Sequence, residues 1–489
     1  MQASHTHGGV AWPNWRALLA TPVVAGALLA CLTFFFCGLR LSDPDTWWHL
    51  KAGQEIWQSG SIPTTDHWSF TVHGNAWTAH EWLAEISIYL AYTWGGLAGL
   101  QLWVCCLAAT IVAAVYTLCY RYSGSATAAS AGGFLAFFFG TIGFSVRPQM
   151  LGYSFLALEL LILERAWSRS PRSLCLLPPV FAVWVNCHGS YPLGLVLAGV
   201  AAVCWHRTGR GPDWKLSGAV IGVSAAALFL NPVGIRLLEY PLNVFTHQRA
   251  SLGFLAEWQP TTMSDVRGMG VYAVLGALMA AGLTGRFRAN AFELIATVIG
   301  AIMALQHVRM MFVFGILVAP IVARMSAGWR PVSRPARQTD LSINGLLLAA
   351  GVLCTFLAFP GEARRRADVD SRNPVKAVAF LKQSSLPGPL LNDYAWGGYL
   401  IWALPERKVF VDGRGDVFDW AGLMAKYRDW SLVQADPAML LDEYKIGLCL
   451  IPAGSPISHA LDHLANWRKV HSDDFAVVYA REFPTPPVS

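Results

Sequence analysis

Two aspartates, Asp43 and Asp45, follow directly on the first long apolar run, in S-D-P-D-T-W-W-H. An ionised carboxylate near neutral pH can take a proton from a hydroxyl. S-D-P-D is equally good turn chemistry, and either aspartate can cap the helix after it. His49 lies four residues beyond Asp45, and His80-Glu81 opens a second polar step. Further polar groups recur at the ends of later apolar runs. They are Arg147 in S-V-R-P-Q-M, Asn186 and His188 in W-V-N-C-H-G-S-Y-P, and Asn231 in L-N-P-V-G. Glu257 in A-E-W-Q-P and His307 with Arg309 in Q-H-V-R-M-M-F complete the set. The planar arginine fork matches phosphate oxygens, but an arginine at a helix end also snorkels to lipid headgroups. Asn-Pro is a helix-boundary pair, and a histidine between helices is often a hydrogen-bonded packing residue. His67, His73, Arg236, Arg249 and Arg267 read as solvated loop residues.

The elements that hold these groups are membrane elements. Of 489 residues, 13% are charged and 54% hydrophobic, with 21 Trp and 25 Phe. A soluble protein carries roughly 25% charged residues, so disorder, a coiled coil and an ordinary soluble enzyme are excluded. The 10 cysteines lie mostly in apolar runs and read as buried thiols. A spanning helix needs roughly 20 apolar residues, and the chain offers about eleven such stretches. They begin with Ala17 to Cys37 and continue near 97–118, 126–145, 149–164, 173–187, 191–205, 216–231, 269–284, 291–307, 310–323 and 341–359. Basic connections alternate along them: Arg121; Arg165, Arg169 and Arg172; Arg207, Arg210 and Lys215; Arg286 and Arg288; Arg324, Arg330, Arg334 and Arg337. Placed in the cytoplasm by the positive-inside rule, they put the N-terminus inside and, with an odd number of spans, the C-terminus outside.

Residues 39–96 form a first outer loop and 232–268 a smaller one. In the first loop, Trp48, Ala52 and Ile56 recur at i, i+4 and i+8, widened by Leu50 and Trp57, opposite Lys51 and Glu55. Such a Trp-rich amphipathic helix lies in the interface rather than crossing it, and Gly60 and Pro63 end it. A second helix starts near His80 and runs through Trp82, Leu83, Ile86 and Leu90. The loop, the acid after the first span and the number of spans resemble the glycosyltransferase C superfamily. The segment from Asp45 through His49 to Pro63, then H-E-W-L, is similar to the first loop of its protein mannosyltransferase and aminoarabinose transferase branches. The resemblance implies a polytopic enzyme that takes sugar from a polyprenyl-phosphate-linked donor. On that alignment Asp45 stands at the catalytic aspartate and His49 at an aromatic or histidine four residues on. The sequence departs at Thr46, where the branch has an acid, and at His80-Glu81, where it has Pro-Pro. The extra Asp43 makes a D-x-D, which some metal-dependent branches use, so either aspartate is a candidate base and a divalent metal on the pair is possible. The chemistry of inverting transfer assigns a base to Asp45 or Asp43, and donor-phosphate contacts to Arg147 and Arg309. His49, His80, Glu81, His188 and Glu257 are cavity or acceptor candidates.

Residues 361–489 have soluble composition and form the second unit after a membrane unit of 1–360. Asn373-Pro374 reads as a helix start, running to Gln383. P-L-L-N-D, K-V-F-V-D, G-L-C-L-I-P and F-A-V-V-Y-A read as strands around a helix from Tyr394 to Leu404. The expected class is therefore an α-helical polytopic membrane protein with a small α/β extracytoplasmic C-terminal domain. D-Y-A-W-G-G resembles the acceptor-recognising aromatic-acid-glycine motif of oligosaccharyltransferases. That resemblance implies a cleft lined by Asp393, Trp396, Asp412 and Arg414, while the plain reading is a strand–loop–helix. No phosphate-binding glycine loop, no C-x-x-C pair and no nucleic-acid patch is present. The expected partners are a polyprenyl-phosphate sugar, a glycan, lipid or protein acceptor, and membrane lipids. A transporter or flippase, with midplane sites and internal repeats, and a non-catalytic scaffold are the competing classes.

Overall fold

The computed structural model describes residues 15–39, 41, 43–247, 255–328 and 338–482. Arg249, Arg330, Arg334 and Arg337 lie outside the described residues. Every apolar stretch expected to span is helical. These helices are α1 (Thr21–Cys37), the C-terminal part of α3 (Trp82–Ser123), α4 (Ala126–Gly140), α5 (Gln149–Ser168), α6 (Leu177–Cys187) and α7 (Tyr191–Thr208), followed by α8 (Trp214–Ala227), α10 (Val266–Leu283), α11 (Ala291–Gln306), α12 (Met311–Ala327) and α13 (Gln338–Leu357). Helix α9 (Ile235–His247) lies in the second loop. The stretches Trp82–Ser123, Val266–Leu283, Val308–Ala327 and Asp340–Leu357 have the length and hydropathy to cross a bilayer. α1, α4 and α11 are shorter and apolar. The protein is a polytopic membrane protein.

The bundle centre is α12, buried along most of its length and packed on α4, α3 and α11. Small residues let these helices meet closely. A Cβ on Gly132 would come 2.7 Å from the Ala319 carbonyl oxygen, and one on Gly315 2.9 Å from Phe139. The first loop begins with α2 (Thr46–Ser59), the expected amphipathic helix, closed by Gly60 in the left-handed conformation. The second loop helix and the next span form the single run α3, turned at Gly95 and Gly96. Gly96 has φ 56° and ψ −137°, a region reserved for glycine, so the two glycines separate an interfacial segment from a spanning one.

After α13 the chain enters α14 (Glu362–Asp370) and α15 (Val375–Gln383). Asn373 does not cap α15; its amide donates to the Val369 carbonyl and closes α14 instead. Strands β1 (Leu390–Asn392), β2 (Leu448–Pro452), β3 (Trp467–Ser472) and β4 (Ala476–Arg481) form one sheet in the order β1-β2-β4-β3. β1 is parallel to β2, and the other pairs are antiparallel. One strand of the sheet was not expected, and one expected strand is absent from it. W-R-K-V-H-S is an edge strand whose mixed exposure carries no clear alternation. K-V-F-V-D is not a strand of the sheet. Its Val409 pairs with Ser69 of the first loop, Thr71 Oγ1 donates to the Phe410 carbonyl, and Asn392 Oδ1 accepts from the Phe410 amide. The segment spends its backbone groups joining the sheet to the loop. A short helix, α16 (Gly397–Ala403), packs on α2, with Trp47 edge-on to Tyr399 at 5.3 Å. One apolar core runs without interruption from the bundle through the loop into the sheet.

Candidate active site

A cavity of about 1090 Å³ opens where the bundle, the first loop and the C-terminal segment meet. Its volume suits a large ligand. Asp43, Asp45, His49, His80, Glu81, Arg147, His188, Glu257 and Arg309 all line it. Asp45 stands at the head of α2, where Trp48 Nε1 donates to Oδ1 at 3.1 Å. The Asp45 amide donates to Asp43 Oδ1 at 3.0 Å, so Asp43 also closes the turn that its sequence suggested. Arg147, in the hairpin between α4 and α5, lies 2.9 Å from Asp45 Oδ2 and 3.9 Å from Asp43 Oδ2. On its other side it donates to both oxygens of Glu257, at 3.1 and 3.4 Å. Arg309 reaches the same carboxylate at 3.0 Å, donates to Gln149 Oε1 at 3.1 Å, and lies 4.6 Å over the Trp258 ring. One carboxylate thus spans two guanidiniums. Burial alone would raise Glu257; Arg147 and Arg309 together outweigh it and hold the group at about 2. Burial pushes Asp45 up to about 6 against the pull of Arg147, with Asp43 and Glu257 adding to the rise. Asp45 therefore remains mostly ionised at neutral pH while being basic enough to accept a proton.

Beside this charged half lies a group of imidazoles around Glu81. His49, His80 and His188 point Nε2 at the Glu81 carboxylate, at 4.0, 3.7 and 3.6 Å. His49 Nδ1 meets Glu85 at 3.1 Å. α2 and α3 cross closely here, because Gly53 leaves room for the Glu85 backbone; a Cβ would strike its carbonyl. Burial pushes Glu81 up to about 8, opposed by Arg147 and Arg309. Burial lowers His80 to about 4, and burial with the arginines lowers His188 to about 3.

Other expected residues fall elsewhere. Asp393 does not line the cavity: its carboxylate caps the turn at Ala395 and accepts from Tyr427. Trp396 is buried against Phe475 at 5.3 Å, in the core beside the sheet. Asp412 is fully buried, and Arg414, which reaches the cavity wall, is held by Asp412 and Asp66 between the rings of Trp68 and Trp77. The cleft expected from D-Y-A-W-G-G is thus a packed joint: its aromatic and acidic groups found partners in the fold. Asn186 is spent on Trp82 and two backbone carbonyls, Asn231 on a turn, and His307 on the Trp258 carbonyl. His67 pairs with Glu55, and His73 meets Lys408, at the surface. The cavity also holds Glu85, Gln149, Tyr240, Trp258, Tyr394 and Asp416, which the sequence reading passed over. Of these, Gln149, Trp258 and Tyr394 stand in segments singled out for their neighbours, and Asp416 stands in D-G-R-G-D beside Asp412 and Arg414. Burial raises Asp416 to about 6.

Both aspartates of the D-x-D pair face the Arg147 guanidinium, and among the described residues no group of three or more His, Cys, Asp or Glu is placed to hold a metal ion.

No family model and no curated sequence matches the chain. Solved structures do. ArnT from Cupriavidus metallidurans bound to undecaprenyl phosphate superposes with a TM-score of 0.54 at 15% identity, covering 94% of this chain and 97% of that one. ArnT in the apo state gives 0.49 at 15% identity over 92% and 96%. The oligosaccharyltransferase of Archaeoglobus fulgidus, in complex with Zn and sulfate, gives 0.46 at 13% identity over 94% and 73%. The chain shares the fold of ArnT and carries a small C-terminal sheet.

Proposed function

We propose that this protein is a membrane glycosyltransferase that moves a sugar from a polyprenyl-phosphate-linked donor to a glycan, lipid or protein acceptor. The observation that carries this reading is the pair of arginines spanned by one carboxylate, with Asp45 against the first of them, in a single cavity. A donor phosphate offers the same bidentate oxygens as Glu257, and would take its place on Arg147 and Arg309. Asp45 would receive the acceptor's hydroxyl proton as that oxygen attacks the sugar's anomeric carbon. The bond from that carbon to the phosphate oxygen breaks, and the lipid phosphate leaves with its charge on the two arginines. Leu156, Val196, Leu238, Ile299 and Met303 line the remaining wall and suit a prenyl chain. The shared fold with a protein described with undecaprenyl phosphate bound supports this reading.

The basic connections support a multi-pass placement in the cytoplasmic (inner) membrane, with the N-terminus inside and the reaction at the outer face. In this reading 1–360 is the membrane unit, with its loop 39–96, and 361–489 the outer unit that closes the cavity.

The test is transfer from a polyprenyl-phosphate sugar by the purified full chain in nanodiscs. Asp45→Asn should lower kcat by about 10²- to 10⁴-fold at unchanged thermal stability. Glu257→Gln should tighten undecaprenyl phosphate, because a neutral amide competes less for the arginines. Full activity in Asp45→Asn would remove the assigned base, and consumption of no lipid-linked sugar by wild type would end the enzyme reading.

A further inference from the structure

The ring of groups around Glu81 is polar, lines the cavity and is spaced too widely to satisfy itself. The three imidazole nitrogens stand 3.6 to 4.0 Å from the carboxylate, beyond hydrogen-bond reach. A polar contact of that length leaves both ends open to a hydrogen-bonding group from the cavity. Glu81 is 12% exposed at the side chain and His188 19%, so the gap is open to the cavity. His80 stacks on Tyr240 at 3.6 Å between ring centres, which backs the polar groups with an aromatic wall.

The hydrogen bonds behind the rings set what each nitrogen offers. The Ser190 amide donates to His188 Nδ1 at 3.2 Å, so that nitrogen is an acceptor and Nε2 carries the proton. His80 Nδ1 faces the Thr78 carbonyl, which can only accept, so His80 presents a bare Nε2. His49 Nδ1 faces Glu85, and its Nε2 is likewise directed at Glu81. The ring therefore mixes a fixed donor, a fixed acceptor and a carboxyl group. A hydroxyl both donates and accepts, so several hydroxyls on one ring can satisfy all of these. An ammonium only donates and leaves the His188 proton unmatched. A metal cation needs a bare nitrogen that His188 does not present.

Resting on the glycosyl-transfer reading, we propose that His49, His80, Glu81 and His188 form the subsite for the donor's sugar, and that this sugar is uncharged and rich in hydroxyls. The subsite shares one cavity with the phosphate site, since His49, His80, Glu81 and His188 line the same walls as Arg147 and Arg309. A ring attached to the phosphate therefore reaches it. Burial shifts the three imidazoles down and Glu81 up, each toward its neutral form, so a neutral polyol suits the ring better than an ion would.

The test measures binding of three probes to the full chain in nanodiscs: undecaprenyl phosphate, the same lipid phosphate bearing a neutral hexose, and the same bearing an amino sugar. The hexose should tighten binding over the bare lipid by about tenfold or more, as a few net hydrogen bonds would. His80→Ala and His188→Ala should lose that gain while binding the bare lipid as wild type does. His188→Gln, which keeps an N–H donor, should recover part of it and guards against a folding defect. Wild type with no hexose gain, tightest binding of the amino sugar, or stoichiometric zinc binding that His188→Ala abolishes each overturns the subsite while leaving the transfer reading intact. Failure of all three lipids to bind overturns the transfer reading and the subsite with it.

Discussion

Asp45 is the residue on which burial and a neighbouring charge act in opposite directions. Burial raises its carboxyl and Arg147 lowers it, and the balance lies at about 6. A base must be ionised to accept a proton, so kcat/KM should fall about tenfold per pH unit below about pH 6 and level off above it. A pH–rate profile measures this, and Asp45→Asn should lack the low-pH limb. A wild-type limb centred near pH 4 would mean that Asp45 is as solvated as a surface aspartate. The sequence placed Asp45, Arg147, Glu257 and Arg309 at the ends of apolar runs, yet it assigned Glu257 no partner. A bridge spanning 110 residues to Arg147 and 52 to Arg309 leaves no local periodicity to read.

At the scale of elements, the site depends on how closely backbone can approach backbone. α2 carries Asp45 and His49, and the loop after Val411 closes over it. Gly413 makes this closure possible: a Cβ there would strike Asp45 Oδ1 and lie 2.9 Å from Trp48 Nε1. Gly413→Ala should therefore displace the base and cost about 10²-fold in kcat, with thermal stability nearly kept. Gly361→Ala, where no atom lies within 4 Å, is the silent control. Equal activity of both variants would show that the closure does not position Asp45. The amphipathic pattern of α2 and the apolar stretches were legible because period and length are local properties. K-V-F-V-D was misread because an extended apolar run looks the same whether it joins a sheet or pins a loop.

At the scale of the whole molecule, the C-terminal segment and the first loop are held together by Arg414. It lies 1% exposed at the side chain, between Asp66 and Asp412 and between two tryptophan rings. Removing one member of a buried ion group leaves the others uncompensated, at about 3 to 5 kcal/mol. Arg414→Met should lower the thermal unfolding midpoint by several degrees and loosen the cavity with it, as read by protease cleavage in the first loop. An unchanged midpoint would mean that the sheet docks through its apolar core alone. The sequence by itself determined that this is a membrane protein with an interfacial first loop and a strand-bearing C-terminal segment. Composition, apolar length and helical period are carried by neighbouring residues, so they need no fold to be read. Only the tertiary structure decided which polar groups face one another. It joined Asp66 to Arg414 across 348 residues, placed one carboxylate between two arginines, buried Trp396 in the core, and gathered three histidines around Glu81. Those outcomes depend on which surfaces pack together, and packing is a property of the folded chain rather than of any stretch of it.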